Sequence, residues 1–487
     1  MVFSRNISLI AALFSAFIAA CFWSAAAQAE TGTVLSYQKI SDTQGSFLGD
    51  VNNYDYLGCS AAAIGDLNND ANSDIAVGAY GNDDGGAERG AIWIMFLHSN
   101  GTVKSYQEIA YAKGGFEGFL SSSDQFGYSV ASIGDLDGDH ISDIVVGAIG
   151  DDDGGTDRGA VWILFMNTNG TVKAYQKISD IEGGFTGDLL DSDNFGSSVA
   201  GLGDLNRDNI PDIAVGANKD GTTDRGAVWI LFLNSNGTVK SHQKIGYASG
   251  GFTGTLALSD LFGTSVSPAG DIDGDGVTDI AVGASKDNDG GTDKGAVWLL
   301  FMNTNGTVRA HQKISAGAGD FTGTLDDSDL FGSSVCSLGD LDRDDIPDIA
   351  VGAIKDDDGN VDRGAVWILF LNSNGTVKSY QKISDTEGNF GGVLDNSDNF
   401  GSGLCALKDL NKDRITDLVA GAIWDDDGGT NTGAAWVLFL DACSYNVYGD
   451  ANRDCHVDFD DFALMANNWL IDCKEVPADP NYCIPTR

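Results

Sequence analysis

Six short acidic stretches in this 487-residue chain carry side chains of the type and spacing that bind a hard divalent cation. In the second stretch, carboxylates occupy positions 1, 3, 5 and 9 (Asp135, Asp137, Asp139 and Asp143), and the main-chain carbonyl of Ile141 is available at position 7. Ca²⁺ takes six or more such oxygen ligands, whereas Mg²⁺ prefers a smaller octahedral shell that keeps its waters. The stretch therefore predicts a calcium loop, with magnesium as the less favoured ion.

The pattern occurs six times at a spacing of 67 to 69 residues, which is typical of a repeat architecture. An Asp-rich turn without metal is the alternative, because Asp and Asn favour turns, but six copies in one register disfavour it. The predicted calcium ligands are Asp66, Asn68, Asp70, Asn72 and Asp74; Asp135, Asp137, Asp139, Ile141 and Asp143; Asp204, Asn206, Asp208, Ile210 and Asp212; Asp271, Asp273, Asp275, Val277 and Asp279; Asp340, Asp342, Asp344, Ile346 and Asp348; and Asp409, Asn411, Asp413, Ile415 and Asp417.

Strands flank each loop. An EF-hand would need an acidic residue at position 12, but that position is apolar here, as at Val146, and lies within a β-branched run. The apolar stretch from Ala160 to Met166 is typical of a strand that is buried on both faces, so its Trp162 is expected in the core. Asn169-Gly170 then suits a hairpin turn, and an alternating outer strand follows, whose lysines suit a solvated edge. Each repeat therefore predicts four strands.

Two further motifs frame every loop. Phe126-Gly127 precedes the second loop and Gly147-Ala148 follows it, and similar pairs surround the others, with Leu57-Gly58 in the first copy. With these motifs the chain resembles, over roughly residues 33 to 440, the FG-GAP repeat of integrin α-subunit propellers. The resemblance implies a β-propeller with calcium held in a hairpin loop of each blade.

The fold expected from the six repeats is all-β, a six-bladed β-propeller over residues 30–442; seven blades, the number in the integrin propeller, is the alternative. The sixth repeat lacks an outer strand, and Thr33 to Ile40 matches the missing one. We therefore expect the N-terminal strand to complete the last blade.

The N-terminal residues 1–29 have the pattern of a secretory signal peptide, in which an apolar run from Ile7 to Ala20 precedes a small-residue cleavage site at Ala27-Gln28-Ala29. A lipid attachment site at Cys21 is the alternative. No later stretch is long and apolar enough to span a bilayer. The expected location is secreted or at the cell surface, where calcium is abundant and disulfides form.

The C-terminal segment, residues 443–487, differs in composition and predicts a small α-helical, EF-hand-like tail. Its proposed ligands are Asp450, Asn452, Asp454, His456 through its carbonyl, Asp458 and Asp461. The loop and the amphipathic helix after it resemble one half of a dockerin domain, which implies a cohesin-like partner. Cys455 replaces the usual glycine, however, and no second loop follows Leu470. Four cysteines in this segment could form two disulfides.

The charge balance of the chain disfavours some classes of ligand. With 28 Lys and Arg against 71 Asp and Glu, the net charge of −43 disfavours binding to nucleic acid or to anionic membranes. Repetition of like groups also disfavours an enzyme, which needs unlike groups converging in one pocket. Successive turns of a meander alternate between its two ends, so we expect an extracellular protein or polysaccharide ligand on the face opposite the calcium loops.

The function that the sequence favours is a calcium-binding extracellular binding or adhesion module, with a tail that docks it to a partner. A component or enzyme of a secreted polysaccharide-degrading assembly, recruited through the dockerin-like tail, is the alternative. A purely structural surface component is a third hypothesis.

Overall fold

The computed structural model describes residues 31–441 of the chain. The predicted signal peptide, the alternative lipid site at Cys21 and the predicted calcium-binding, dockerin-like tail lie outside the described residues, and they stay predictions.

Six four-stranded antiparallel sheets form the blades of a β-propeller, which confirms the predicted all-β fold with six blades rather than seven. Blades one to five each contain four strands that are consecutive in the chain, whereas blade six combines the last three strands of the chain with the first. Blade three also has a five-residue π-helical turn, Asp220–Asp224. No helix within residues 31–441 has the length and apolar character needed to cross a membrane.

The strands are β1 (Thr33–Ile40); β2 (Ala61–Gly65), β3 (Asp74–Ala79), β4 (Ala91–Leu97) and β5 (Val103–Ala110) in blade one; β6 (Phe126–Gly134), β7 (Asp143–Ala148), β8 (Ala160–Met166) and β9 (Val172–Ile178) in blade two; β10 (Phe195–Gly203), β11 (Asp212–Ala217), β12 (Ala227–Leu233) and β13 (Val239–Gly246) in blade three; β14 (Phe262–Gly270), β15 (Asp279–Ala284), β16 (Ala296–Met302) and β17 (Val308–Ser315) in blade four; β18 (Phe331–Gly339), β19 (Asp348–Ala353), β20 (Ala365–Leu371) and β21 (Val377–Ile383) in blade five; and β22 (Phe400–Lys408), β23 (Asp417–Ala422) and β24 (Ala434–Asp441) in blade six.

The ring closes because the first strand lies beside the last. β1 pairs with β24 in antiparallel register, from Thr33 opposite Asp441 to Ile40 opposite Ala435. The N–H of Val34 also donates to the carbonyl of Gly388 in the preceding interblade loop, over 2.8 Å. The corresponding outer strand of blade two makes the same bond, from Val172 to Gly114, so the closing blade has the geometry of the continuous blades.

The two middle strands of every blade are buried along almost their whole length, because neighbouring blades cover both of their faces. The tryptophan of each third strand is at most 4% exposed, which confirms its expected core position. A phenylalanine from the preceding long loop packs edge-on against each tryptophan, with ring centroids 5.1 to 5.3 Å apart. The pairs are Phe47–Trp93, Phe116–Trp162, Phe185–Trp229, Phe252–Trp298, Phe321–Trp367 and Phe390–Trp436.

A ring of hydrogen bonds joins each blade to the next near the central axis. In every blade a serine in the innermost strand, or directly before it in blade one, donates its hydroxyl to the carbonyl of the Phe-Gly glycine of the next blade, or of the Leu-Gly glycine in the first, over 2.5 to 3.2 Å. The six bonds run from Ser60 to Gly127, Ser129 to Gly196, Ser198 to Gly263, Ser265 to Gly332, Ser334 to Gly401 and Ser402 to Gly58. We call these six serines and six glycines the serine belt.

The glycines of both repeat motifs are required at this contact. Gly196 of the Phe-Gly pair has φ of +94°, a conformation that side chains rarely adopt. Gly147 of the Gly-Ala pair lies against it, and a Cβ added there would stand 2.1 Å from the Gly196 carbonyl oxygen and 2.4 Å from the Ser129 hydroxyl. The two motifs are therefore the two sides of one interblade contact.

Replacing Ser129 by Ala should test the serine belt. The substitution removes the 2.8 Å bond to the Gly196 carbonyl in a buried setting, so the free energy of unfolding should fall by about 1 to 3 kcal/mol. Denaturant unfolding of the variant measures the loss. The control is Ser105→Ala on an exposed strand position, where blades two and four already carry Ala174 and Ala310. Equal unfolding midpoints for the two variants would contradict the role assigned to the belt.

Candidate metal centre

Each acidic loop is the hairpin between the first and second strands of a blade, and its last carboxylate fastens it to the blade. Asp143, at position 9, is fully buried at the start of β7. Its Oδ2 accepts the N–H of Leu136, at the start of the loop, and its Oδ1 accepts the N–H of Met166, at the end of β8, both over 3.0 Å. Equivalent bonds place the position-9 carboxylates of the loops in blades one, four and five.

The main chain of the loop orients its other carboxylates. Asp135, at position 1, accepts the N–H groups of Gly138, Asp139 and His140 over 2.7 to 2.9 Å. Asp139, at position 5, accepts the N–H of Ile141 over 2.9 Å. The chain must curl tightly to make these bonds, and His140 accordingly has φ of +68°. The curl turns the acidic side chains towards the inside of the loop.

Three of the loops bring three carboxylates close enough to share one cation. The groups Asp135, Asp137 and Asp143; Asp271, Asp273 and Asp279; and Asp340, Asp342 and Asp344 each have ligand oxygens within 4.8 Å of one another. In the other three loops an Asn holds position 3, so its amide oxygen replaces one carboxylate.

The position-3 side chain shows that the loops fit a cation. In four loops its Oδ1 is buried without any hydrogen-bond partner: Asn68, Asn206, Asp273 and Asp342. A buried polar atom without a partner is costly, and in native proteins such an atom usually has an unseen water or ion as its explanation. The same atom recurs in four loops, which points to one shared cause.

Electrostatics support the same conclusion. Burial, followed by the charge of the nearby loop carboxylates, raises the pKa of Asp143 to about 6. In the other blades the same causes raise the pKa of the position-9 carboxyl to about 7: Asp74, Asp212, Asp279, Asp348 and Asp417. Six carboxyls that are poorly stabilised as anions would each gain from a divalent cation inside the loop.

A basic residue from the outer strand also contacts the loops of blades one to five, which the sequence analysis did not anticipate. Lys173 of β9 lies 2.8 Å from Asp137 and also pairs with Asp139, whose pKa it lowers. The counterparts are Lys104, Lys240, Arg309 and Lys378. Lys or Arg recurs at this one strand position in five repeats, a signal that was present in the sequence. Leu35 stands there in blade six.

The acidic turns between the second and third strands lie at the other end of each blade and already contain a cation. Lys177 of β9 is 2.6 Å from Asp151 and 2.7 Å from Asp153. Burial lowers the pKa of Lys177, but the two carboxylates offset this effect and the pKa is raised. The same pairing uses Lys39, Lys313 and Lys382 in three other blades. These lysines are buried or nearly so, contrary to the solvated edge expected from the sequence.

One carboxyl near each acidic turn is also buried. The Oδ2 of Asp329 accepts the N–H of Asp326 over 2.7 Å. Burial first, and then the charges of Asp356 and Asp326, raise the pKa of Asp329 to about 7. Asp124 occupies the same position before the first strand of blade two, and Asp398 occupies it before the first strand of blade six. The pKa of each of these carboxyls is also raised to about 7. The face opposite the acidic hairpin loops thus holds carboxyls that resist ionisation.

Comparison with known proteins agrees with this architecture. The family model described as "FG-GAP repeat" matches six segments, residues 60–95, 126–164, 195–231, 262–300, 331–369 and 400–438. Each segment covers the first strand, the acidic loop and the two buried strands of one blade. The chain therefore contains six FG-GAP repeats, arranged as an integrin-like β-propeller.

Integrin α-subunits are among its curated relatives. Integrin alpha-6 of Gallus gallus is 37% identical over 199 residues, which are 41% of this chain and 16% of that protein. Integrin alpha-5 of Xenopus laevis is 32% identical over 266 residues, 52% of this chain and 22% of that protein. The chain thus spans less than a quarter of the length of these two relatives. A solved structure, BBS1N in complex with ARL6DN soaked with lead, aligns over 81% of this chain and 82% of that chain at 11% identity, with a TM-score of only 0.36.

Replacing Asp329 by Asn should reduce the pH dependence of stability. A carboxyl whose folded pKa of about 7 exceeds its unfolded value of 3.8 binds more protons when folded, so its contribution to stability is complete below pH 4 and is lost as the pH rises through 7. In the presence of a chelator, the variant should therefore lose less unfolding free energy than wild type between pH 5 and pH 8, as measured by urea denaturation. Asp320→Asn, at an exposed position in the same loop, makes the same change in charge and serves as control. Equal pH slopes for the two variants would contradict the assignment.

Proposed function

We propose that this chain is a calcium-binding extracellular module that binds or adheres to another macromolecule through the face opposite the calcium loops. The observation that carries the calcium part is the buried position-3 oxygen without a partner, which is present in four loops. In two of these, the loops of Asp273 and Asp342, three carboxylates also lie within 4.8 Å of one another. Hard oxygen donors at this spacing are the ligands of Ca²⁺.

The proposed ligands of each ion are the side chains at positions 1, 3, 5 and 9 and the main-chain carbonyl at position 7, as named from the sequence. The side chain at position 9 also holds the loop to the third strand, so a bound ion would link the loop to the blade core. The ion would supply positive charge to buried carboxylates, and so stabilise the hairpin ends of all six blades.

Three features support an extracellular location and a binding role. The resemblance to integrin α-subunits stated above implies both. Calcium at extracellular concentrations would neutralise part of the net charge of −43, much of which lies in the loops. The repeated, rigid blades also present their long loops on one face, where binding residues are commonly found. The alternative of recruitment to a polysaccharide-degrading assembly depends on the tail, outside the described residues.

Removal of calcium should destabilise the protein. A cation that binds only the folded chain stabilises it by about 2.7 kcal/mol per site at 100 times its dissociation constant. We therefore expect the melting temperature to fall by about 10 °C or more when calcium is replaced by a chelator, with roughly six ions bound per propeller. Scanning calorimetry and atomic emission of the dialysed protein measure the two quantities. An unchanged melting temperature with no bound calcium would overturn the calcium proposal, whereas magnesium should restore only part of the shift.

The basic residue beside the loops of blades one to five should weaken calcium binding, because its charge lies close to the proposed ion. Lys240→Leu, which introduces the residue that blade six carries at Leu35, should raise the affinity of one site by about tenfold. Titration calorimetry with calcium chloride should then show one ion bound about tenfold more tightly than in wild type.

Lys244→Leu is the matched control, since Lys244 lies on the same strand but pairs with Asp220 at the opposite end of the blade. An isotherm that Lys240→Leu leaves unchanged, or that both variants change equally, would show that this lysine does not oppose the ion.

A further inference from the structure

Four tyrosines break the repeat, and all four come together in space. Tyr54, Tyr56 and Tyr80 belong to the first repeat and Tyr128 to the second. The five other copies of the Tyr54 position carry serine: Ser123, Ser192, Ser259, Ser328 and Ser397. The other copies of the Tyr56, Tyr80 and Tyr128 positions likewise carry no aromatic residue. These four departures distinguish the sector between blades one and two from the corresponding sectors of the ring.

The four rings form a continuous row. The centroids of Tyr54 and Tyr56 are 6.4 Å apart. Tyr56 stacks on Tyr80 at 4.9 Å and 20°, and Tyr80 contacts Tyr128 at 5.3 Å. Tyr54 is 51% exposed, whereas Tyr80 and Tyr128 are partly buried. The row therefore leads from the surface towards the central axis, on the face opposite the calcium loops. We call it the tyrosine row.

The inner end of the tyrosine row lines a cavity of about 230 Å³ at the mouth of the central channel. Its wall includes the six serines of the serine belt, and valines such as Val130 and Val199 lie deeper, where a second, narrower cavity begins. None of the residues lining the first cavity is charged at neutral pH, although a fifth of the whole chain is charged. The cavity is smaller than the roughly 300 Å³ typical of drug-sized ligand sites, so it suits the end of a chain-like ligand.

The chemistry of the lining selects among ligands. Each belt serine uses its one proton to bond a glycine carbonyl, so the hydroxyl oxygens are left with acceptor capacity only. A ligand must therefore offer several hydrogen-bond donors. A cation would have to leave water for a cavity that contains no carboxylate to pair with it, which is costly. Tyr56 and Tyr80 stack on each other and so cover one face of each ring. The rest of the tyrosine row offers apolar ring surface beside polar hydroxyls, which suits a sugar ring that carries both C–H faces and hydroxyls.

We propose that the tyrosine row and the channel mouth bind a neutral polysaccharide chain, with one terminal sugar in the cavity and further sugars along Tyr80, Tyr56 and Tyr54. This inference deepens the proposed binding function, on which it rests, because it names the ligand class and the sector of the binding face.

The test is titration calorimetry on the full chain in calcium with three neutral hexasaccharides, of β-1,4-glucan, β-1,3-glucan and β-1,4-mannan. At least one should bind. Tyr54→Ser and Tyr80→Ile introduce residues that other blades already carry at these positions, such as Ser123 and Ile149, so the blades should still fold. Each variant should weaken binding by about fivefold. Tyr175→His is the control, because His242 and His311 stand at that outer-strand position in other blades.

Any of three results would overturn the proposal. The first is that no hexasaccharide binds wild type at 10 millimolar, a concentration about ten times the largest dissociation constant of interest. The others are that the two variants bind as tightly as Tyr175→His, or that hexa-arginine competes for the tyrosine row. The melting temperature of the same samples with and without calcium distinguishes failure of the sugar-binding proposal from failure of the calcium proposal. Stabilisation by calcium without sugar binding rejects the sugar site alone.

Discussion

Near the central axis each blade contacts the next through the carbonyl group of one glycine, and that contact constrains the residues around it. The carbonyl must point into the neighbouring blade, which needs the positive φ of Gly196 and its counterparts. The neighbour must approach without a side chain, which needs Gly147, and must supply a proton, which needs Ser129. In blade six the hydrogen bond to the glycine carbonyl is kept, although the serine that donates it is displaced by one residue. Gly403 stands where the other blades place the belt serine, and Ser402, one residue earlier, donates instead.

Charge is the second constraint, because the blades combine a deeply buried core with a net charge of −43. Lysines of the outer strands neutralise part of this charge at both ends of the blades. At one end of each blade the acidic turn encloses a lysine from its own outer strand, as Lys177 does, and this pair is complete within the chain. Blade one departs from this rule with Glu108 at the lysine position, and Lys113 from the following loop pairs with it instead. At the other end Lys173 contacts the Oδ2 atoms of Asp137 and Asp139, while position-3 atoms such as Oδ1 of Asp273 have no partner. The two ends are therefore not equivalent, because one is neutralised internally and the other keeps buried oxygens without a partner.

The sequence period was enough to predict the number of blades, the order of strands and the loop positions, because each repeat folds as one unit against copies of itself. The motif glycines were visible, but their partner was not, since the serine that pairs with Gly196 is 67 residues away and the hydroxyl direction depends on how two blades pack. Phe116 was missed for the same reason: it lies in a long loop with no strand pattern, yet it is fully buried against Trp162 of the next blade. The outer-strand lysines were interpreted from exposure rules for edge strands, which the acidic turns override.

The tyrosine row shows a different limit of predicting a binding site from a repeated sequence. A search for what is common to the copies finds the scaffold, and it passes over any residue that occurs once. The sequence predicted a ligand on the face that carries the tyrosine row without distinguishing one blade from another, whereas Tyr56 and Tyr80 become neighbours only when the chain passes through the hairpin of blade one. The tyrosines of this row leave the serine belt unaltered, because the hydroxyl of Ser129, next to Tyr128, still donates to the carbonyl of Gly196.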